Sequence, residues 1–220
     1  MLALLLLGCA DPDPFADTIC SPLAPVDVRG WTRAYEPVAG GEFGEAGWRS
    51  TSTLGPEDFD GASAFVVEDQ FEADYETTDV YRISFRYFYT CDAQGTWLRG
   101  FTMSRHDEDG DQVFDQDSSL VLDQALLWAA SDDSSGWEGQ SEGVYTLGDQ
   151  SYEVDWMVEV ELLERGPLEV LGGSFPDARR FERRMGTPDS MSESVEWSAE
   201  GTGELLREDA WELRELEVSG

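Results

Sequence analysis

The sequence predicts a mainly β protein: a single antiparallel sheet that curves into a half-barrel or barrel, with one or two short helices. Apolar and polar residues alternate over several long segments, as they do in half-buried strands. Short turn sequences join these segments in pairs, so hairpins outnumber any strand–helix–strand pattern and the sheet should be antiparallel. We count about nine strands, and a sheet of that size tends to curl or close.

The first predicted hairpin has the clearest pattern. Segment 79–91 alternates, with aromatic and other apolar side chains on one face and polar side chains on the other. A turn at 92–95 follows, and segment 96–103 returns as the partner strand. The aromatic face is a candidate ligand-binding surface, whose proposed contacts are Tyr81, Phe85, Tyr87 and Tyr89.

A second hairpin is expected from 143–147 and 152–162, around a turn at Gly148 and Asp149. In 152–162 the apolar side chains alternate with Glu and Asp, which should place the acidic residues outside. Segment 122–130 lacks this alternation and is the one stretch that we predict to be a short helix.

One basic cluster, at 177–185, holds four of the fourteen arginines. We interpret 178–185 as a strand antiparallel to 152–162, with its arginines facing the outward acidic residues of that strand. Opposite charges across neighbouring strands stabilise a sheet. The alternative interpretation is a site for an anion or a lipid headgroup.

The formal net charge is −33, and every basic residue is an arginine. An excess of acid argues against nucleic acid as a partner, because phosphate binding needs a basic patch. It argues equally against docking of the domain surface on anionic lipid. The acidic surface is interpreted as a solvated one that keeps the protein soluble.

The N-terminal apolar run is too short to span a bilayer, which needs about 20 residues. Its end, Leu6-Leu7-Gly8-Cys9, resembles a bacterial lipobox. The resemblance implies that residues 1–8 are a signal peptide and that Cys9 becomes a lipid-modified N-terminus. Residues 9–26 would then be a tether and 27–220 the β domain. The expected location is the cell envelope, with the protein anchored in a membrane, and Ala10 after the cysteine favours the outer one. The alternative is a soluble protein with an apolar N-terminus.

With Cys9 assigned to lipid, two cysteines remain in an oxidising compartment. We predict a disulfide between Cys20 and Cys91, which would tie the tether to the domain. The alternative is two buried free thiols.

Residue types argue against catalysis. Triads of the Ser-His-Asp or Cys-His kind need a placed histidine, and the chain has one, His106. Zinc sites usually need three or four His or Cys ligands. Paired carboxylates and the eight tryptophans leave a carbohydrate-active or carbohydrate-binding protein as an alternative. No cofactor is expected apart from calcium.

The candidate calcium loop lies in the acidic segment 107–117. Its spacing matches positions 1, 3, 5, 7 and 9 of an oxygen-ligand loop, with a backbone carbonyl at position 7. Gln112 stands where the sharp turn of such a loop needs Gly, and Ser118 stands where a bidentate Glu is expected. The alternative is an acidic loop between strands. The proposed ligands are Asp107, Asp109, Asp111, Val113 and Asp115.

Four short segments, in this order, resemble uncharacterised bacterial envelope lipoproteins of the TapB-like and related families. They are 31–35, 135–137, 173–178 and 196–207. The resemblance implies a β-rich envelope domain and transfers no activity. The leading hypothesis is therefore a non-catalytic, lipid-anchored envelope protein that binds a protein partner or an apolar ligand on its concave face.

Overall fold

The computed structural model describes residues 20–21, 30–41, 47–72, 82–107, 111, 117–129 and 135–218. Twelve strands run through this part of the chain, and each pairs antiparallel with its neighbours in sequence order. β1 also pairs with β12, so the sheet closes into a barrel. The strands are β1 Trp31–Pro37, β2 Trp48–Phe59, β3 Ala62–Glu72, β4 Arg82–Asp92, β5 Gly95–His106, β6 Ser118–Ala129, β7 Gly136–Leu147, β8 Gln150–Val170, β9 Gly173–Thr187, β10 Ser190–Ala199, β11 Gly203–Arg207 and β12 Trp211–Val218.

The predicted antiparallel, barrel-like fold is confirmed, with twelve strands where the sequence suggested about nine. Both predicted hairpins form, as β4–β5 and as β7–β8. The first turn is held by Asp92, whose Oδ1 accepts hydrogen bonds from the backbone N–H groups of Gln94 at 2.8 Å and Gly95 at 3.2 Å. Gly201, in the turn between β10 and β11, and Gly203, the first residue of β11, have φ of 72° and 83°.

The predicted helix at 122–130 is wrong: residues 122–129 belong to β6, and no described residue lies in a helix. β6 pairs with β5 through two register shifts, and at each shift β6 has more residues than the facing stretch of β5. Leu127 is one of them, because Trp97 faces Leu126 while Thr96 faces Trp128. Such irregularities break the period-two alternation, so a real strand looked helical.

Large side chains fill most of the barrel interior. A twelve-stranded barrel is wider than an eight-stranded one, in which side chains are just able to fill the interior. Trp128, Trp137 and Phe181 pack together with ring centroids 5.2–5.7 Å apart. A second group of rings runs along the inside of β3, β4 and β5 and consists of Phe71, Phe85, Tyr87 and Phe101. The predicted aromatic face of β4 is therefore an interior face.

The seam between β11 and β12 is short, with pairing at Leu206–Glu212 and Arg207–Trp211. Side chains of β1 reach across its inner side. Arg33 Nε donates to the carbonyl of Thr202 at 2.6 Å, and the Tyr35 hydroxyl donates to the carbonyl of Glu204 at 3.2 Å. From the turn between β8 and β9, the N–H of Gly172 donates to the carbonyl of Leu213 at 2.8 Å. These bonds extend barrel closure where the strand ladder is short.

The structure contains the predicted disulfide between Cys20 and Cys91, with an S–S distance of 2.02 Å. Cys20 is buried against the interior core. Beside it, the N–H of Ser21 donates to Thr96 Oγ1 at 2.9 Å and Ser21 Oγ donates to the carbonyl of Ala129 at 3.1 Å. The segment before the barrel is thus joined to β4, β5 and β6.

Candidate functional site in the barrel interior

The barrel contains a cavity of about 160 Å³, which we call the interior cavity. Its lining comes from nine of the twelve strands and combines charged, aromatic and apolar side chains. The charged residues are Arg33, Arg49, Asp69, Arg183, Glu196, Glu204 and Arg207, the rings are Tyr35, Tyr87, Tyr89 and Trp128, and the remaining residues are Thr51, Thr53, Val67, Leu98, Leu127, Met185 and Gly203.

Arg49 is the centre of a buried ion-pair network. Its guanidinium binds Asp69 through two bonds of 2.9 Å, from Nε to Oδ1 and from Nη2 to Oδ2. The same guanidinium pairs with Glu204, which also accepts a bond of 2.8 Å from Arg207 Nη2. The Arg49 side chain is 4% exposed, and it lies over the ring of Tyr35 at 4.8 Å. The bidentate geometry is the strong form of such a pair.

Burial disfavours ionisation of Glu204, but the guanidinium groups of Arg207 and Arg49 outweigh it. They hold the pKa of Glu204 well below its usual range, so the carboxylate is charged at neutral pH. The pKa of Arg49 lies above its usual range because Asp69 and Glu204 together outweigh the effect of burial.

Glu196 and Arg183 form a second buried pair, from neighbouring strands β10 and β9. The Arg183 guanidinium lies over the Trp128 ring at 4.4 Å. Burial raises the pKa of Glu196, although the charge of Arg183 acts in the opposite direction. Two atoms of this pair, Glu196 Oε2 and Arg183 Nε, are buried and have no hydrogen-bond partner among the described residues.

Arg33 differs from the other three arginines of the cavity. Its side chain is buried, and its Nε is used by the carbonyl of Thr202. Within the described part of the chain, no carboxylate lies within ion-pair distance of it and no hydrogen bond is made by its terminal nitrogens. Burial lowers the pKa of Arg33, but from so high an ordinary value that the group stays charged at neutral pH.

Three tyrosines line the cavity. Burial, with a contribution from Glu204, raises the pKa of Tyr35 to about 12. Burial also raises the pKa of Tyr87 and of Tyr89 above the usual range. All three hydroxyl groups therefore keep their protons at neutral pH.

The sequence-predicted ligand face is split by the structure. Tyr87 and Tyr89 line the interior cavity. Phe85 does not line it and packs instead against Phe71 and Phe101, at centroid distances of 6.2 and 5.7 Å. Tyr81 lies outside the described residues.

The basic cluster on β9 is also split, and our interpretation that all four arginines face outward is wrong. Arg180 and Arg184 point outward, where their Nε atoms bind Glu208 at 2.6 Å and Glu193 at 2.9 Å. Arg179 and Arg183 are buried on the opposite face. Adjacent residues of a strand point to opposite sides, so two neighbouring arginine pairs must divide in this way.

The charged residues of the cavity were not identified as a site from the sequence. For some of them, the sequence does contain a signal of an interior position. Alternation places Arg183 on the same face as Phe181 and Met185, both apolar, and places Arg33 with Trp31 and Tyr35. A charged residue in the apolar half of an alternating strand is the signal of a polar interior.

The structure describes only part of the candidate calcium loop. Asp109, Val113 and Asp115 lie outside the described residues. Asp107 and Asp111 are joined by two hydrogen bonds: the N–H of Asp111 donates to Asp107 Oδ1 at 2.9 Å, and the N–H of Asp107 donates to the carbonyl of Asp111 at 3.0 Å. In the part of the chain that the structure describes, no group of three or more His, Cys, Asp or Glu side chains is arranged to hold a metal. The calcium site stays a prediction.

His106 lies on β5 with its Nε2 at 3.3 Å from Ser104 Oγ. Among the described residues, no carboxylate orients this ring by a hydrogen bond. The eight tryptophans are all buried or half-buried, so none forms an exposed platform for a sugar ring.

Comparison with known proteins adds little to this site. No protein-family model matches the chain, and no curated protein matches it. Among solved structures, one from Bacteroides fragilis NCTC 9343, described provisionally as an exported protein with a YmcC-like fold, is similar with 12% sequence identity and a TM-score of 0.45. The alignment covers 91% of this chain and 99% of that one. Similarity at this level transfers neither function nor location, and the resemblance to TapB-like lipoproteins stays a prediction.

No helix long and apolar enough to cross a bilayer occurs among the described residues.

Proposed function

We propose that this chain is a non-enzymatic, lipid-anchored protein of the cell envelope that binds a small ligand inside its barrel. The observation that carries the binding role is the composition of the interior cavity. A core built for stability alone is apolar or has its polar groups satisfied.

The interior cavity departs from that rule in a specific way. Glu196 Oε2, Arg183 Nε and Arg207 Nε are all buried and lack a hydrogen-bond partner among the described residues. Unsatisfied buried polar groups cost about 1–3 kcal/mol each, and more when charged. A polar occupant of the cavity, either water or a ligand, would be solvated by the seven charged side chains of the lining.

The size of the cavity argues against a lipid carrier. At about 160 Å³ it is close to the cavity of roughly 150 Å³ that holds one benzene molecule in another protein. Pockets for drug-sized ligands are about 300 Å³ or larger. We therefore narrow the proposed ligand to a small one that binds inside the barrel, in a cavity lined by both charged and apolar side chains.

Binding inside the barrel is tested with two variants that add the same ring. Val67→Trp projects an indole into the cavity, whereas Val144→Trp adds it on the exposed outer face of β7. We expect at least one small molecule of about benzene size to change the fluorescence of the unmodified protein, because Trp128 lines the cavity. The panel is benzoate, benzamide, benzylamine and glucose.

Val67→Trp should abolish the response and Val144→Trp should keep it. Circular dichroism of both variants checks the fold, since overpacking a core costs about 1–3 kcal/mol. An equal response from both variants would place binding outside the barrel. A panel in which no member changes fluorescence or melting temperature would overturn the binding role.

The lipid anchor rests on the motif Leu6-Leu7-Gly8-Cys9. Cells grown with a palmitate analogue should label the unmodified protein and leave a Cys9→Ser variant unlabelled. Two or more acyl chains on one cysteine would give a stable anchor, since a single chain binds membranes marginally. Equal labelling of the two proteins would contradict the anchor and leave the binding role untouched.

A further inference from the structure

We infer that the occupant of the interior cavity is a small organic monoanion of aromatic-ring size, such as an aromatic carboxylate, and that Arg33 binds its charged group. The inference rests on the proposed binding role and adds to it the class of ligand and the residue that selects it.

The first step is the charge of the cavity. Four arginines line it against three carboxylates, Asp69, Glu196 and Glu204, so the fully ionised lining carries a net charge of 4 − 3 = +1. The whole chain carries −33, so a positive interior is opposite in sign to the rest of the molecule. A buried charge is stable when it is paired. The unpaired cation of the lining therefore calls for an anion.

The second step locates that cation. Arg49 is bound to Asp69 and Glu204, Arg207 to Glu204, and Arg183 to Glu196. Arg33 has the carbonyl of Thr202 as the acceptor for its Nε, and within the described chain no carboxylate lies within ion-pair distance of it, so that Glu204 acts on it only at longer range. A guanidinium held through Nε keeps its two terminal nitrogens for a second acceptor, and this planar fork matches a carboxylate. The bond to Thr202 also fixes its orientation before a ligand arrives.

The third step is size and shape. A volume of about 160 Å³ accepts a benzene-sized body and is too small to enclose a long acyl chain. Apolar side chains form part of the wall, namely Val67, Leu98, Leu127 and Met185, and the rings of Tyr87, Tyr89 and Trp128 form another part. A flat apolar body with one anionic group satisfies both kinds of lining. An inorganic anion would leave the apolar wall without contact.

The ligand class is tested on the unmodified protein by calorimetric titration. Benzoate should bind with a measurable Kd, whereas benzamide, a neutral molecule of the same shape, should bind at least tenfold more weakly. Benzylamine, its cationic counterpart, should not bind. Equal binding of benzoate and benzamide, or tighter binding of benzylamine, would overturn the anionic class while leaving interior binding in place. Acetate binding as well as benzoate would overturn the aromatic-size requirement.

The role of Arg33 is tested with Arg33→Gln, which we expect to weaken benzoate binding by about 10- to 100-fold, the effect of one lost charged hydrogen-bond pair. Arg214→Gln is the matched control, because it removes the same charge from an exposed arginine of β12 that pairs with Glu36 and does not line the cavity. It should bind benzoate within about twofold of the unmodified protein.

Arg33→Gln should also lose the preference for benzoate over benzamide, which a merely structural role would not change. If Arg33→Gln fails to fold, Arg33→Lys keeps the charge without the fork and should retain the preference for benzoate at reduced affinity. Unchanged benzoate affinity in a folded Arg33→Gln variant would overturn the assignment. Loss of benzoate binding in Arg214→Gln to the same extent would also overturn it.

Discussion

Replacing Glu204 by Gln should lower the free energy of unfolding by about 3 kcal/mol at pH 7. Breaking one side of a buried ion pair typically costs about 3–5 kcal/mol, because the partner charge stays buried. Glu204 is the shared acceptor for Arg49 and Arg207, and its side chain is 15% exposed. We expect the lower end of that range, because Arg49 keeps both of its bonds to Asp69. Urea unfolding at equilibrium measures the change.

The pH dependence of this loss identifies its origin. The folded-state pKa of Glu204 lies below the ordinary value of about 4.3. Its contribution to stability is therefore fully present above that ordinary value and is lost as pH falls toward the folded-state value. The difference between the two proteins should be constant from pH 8 to about pH 6 and should shrink below about pH 4.

For Glu196→Gln we expect a pH dependence of stability opposite in sign to that of Glu204→Gln. Burial raises the pKa of Glu196, so its ionisation in the folded protein is disfavoured and stability falls as pH rises between the ordinary and the raised value. Relative to the unmodified protein, the Glu196→Gln variant should therefore become more stable as pH rises. Glu36→Gln, in an exposed pair with Arg214, should change the free energy of unfolding little at pH 7. Parallel pH profiles for Glu204→Gln and Glu196→Gln would contradict this account.

Local alternation was enough to predict the hairpins of this fold. β4 and β8 alternate over long stretches and pair with strands adjacent in sequence. β6 could not be recognised as a strand from the sequence. The extra residues that break its alternation are identified only by its pairing with β5. Closure of β1 on β12 joins Trp31 to Val218 and depends on the twist and tilt of the whole sheet. No short segment carries that information.

The interior cavity was harder to predict than the fold. Arg49 and Glu204 are 155 residues apart, and their contact depends on the combined register of β2, β1, β12 and β11. Arg33 could be placed on the inner face from its spacing to Trp31 and Tyr35, but its lack of a carboxylate partner within the described chain depends on all the strands around it. Sequence therefore predicts which face a charged side chain occupies, and the tertiary structure decides whether that charge is paired.

Reduction of the Cys20–Cys91 disulfide should lower the free energy of unfolding by about 4 kcal/mol, the loop-entropy value for a cross-link of this span. The two cysteines are separated by 71 positions, so the reduced unfolded chain gains considerable freedom. The denatured state should also expand, which raises the slope of unfolding free energy against urea concentration. Equilibrium urea unfolding with and without a reductant measures both quantities.

Reduction isolates the cross-link, because both side chains stay in place, whereas Cys20→Ala would also remove buried volume from the core. A Cys20→Ala, Cys91→Ala double variant is the control, and reductant should not change its unfolding curve. The bonds of Ser21 to Thr96 and Ala129 would then be what still holds the N-terminal segment to the barrel. If reduction changes the unfolding free energy by less than about 1 kcal/mol, about the value of a typical hydrogen bond, those bonds and the core contacts hold the segment without the disulfide. A large decrease with an increased slope instead shows that the cross-link limits the unfolded chain, and that the segment leading to Cys9 is secured to the barrel covalently.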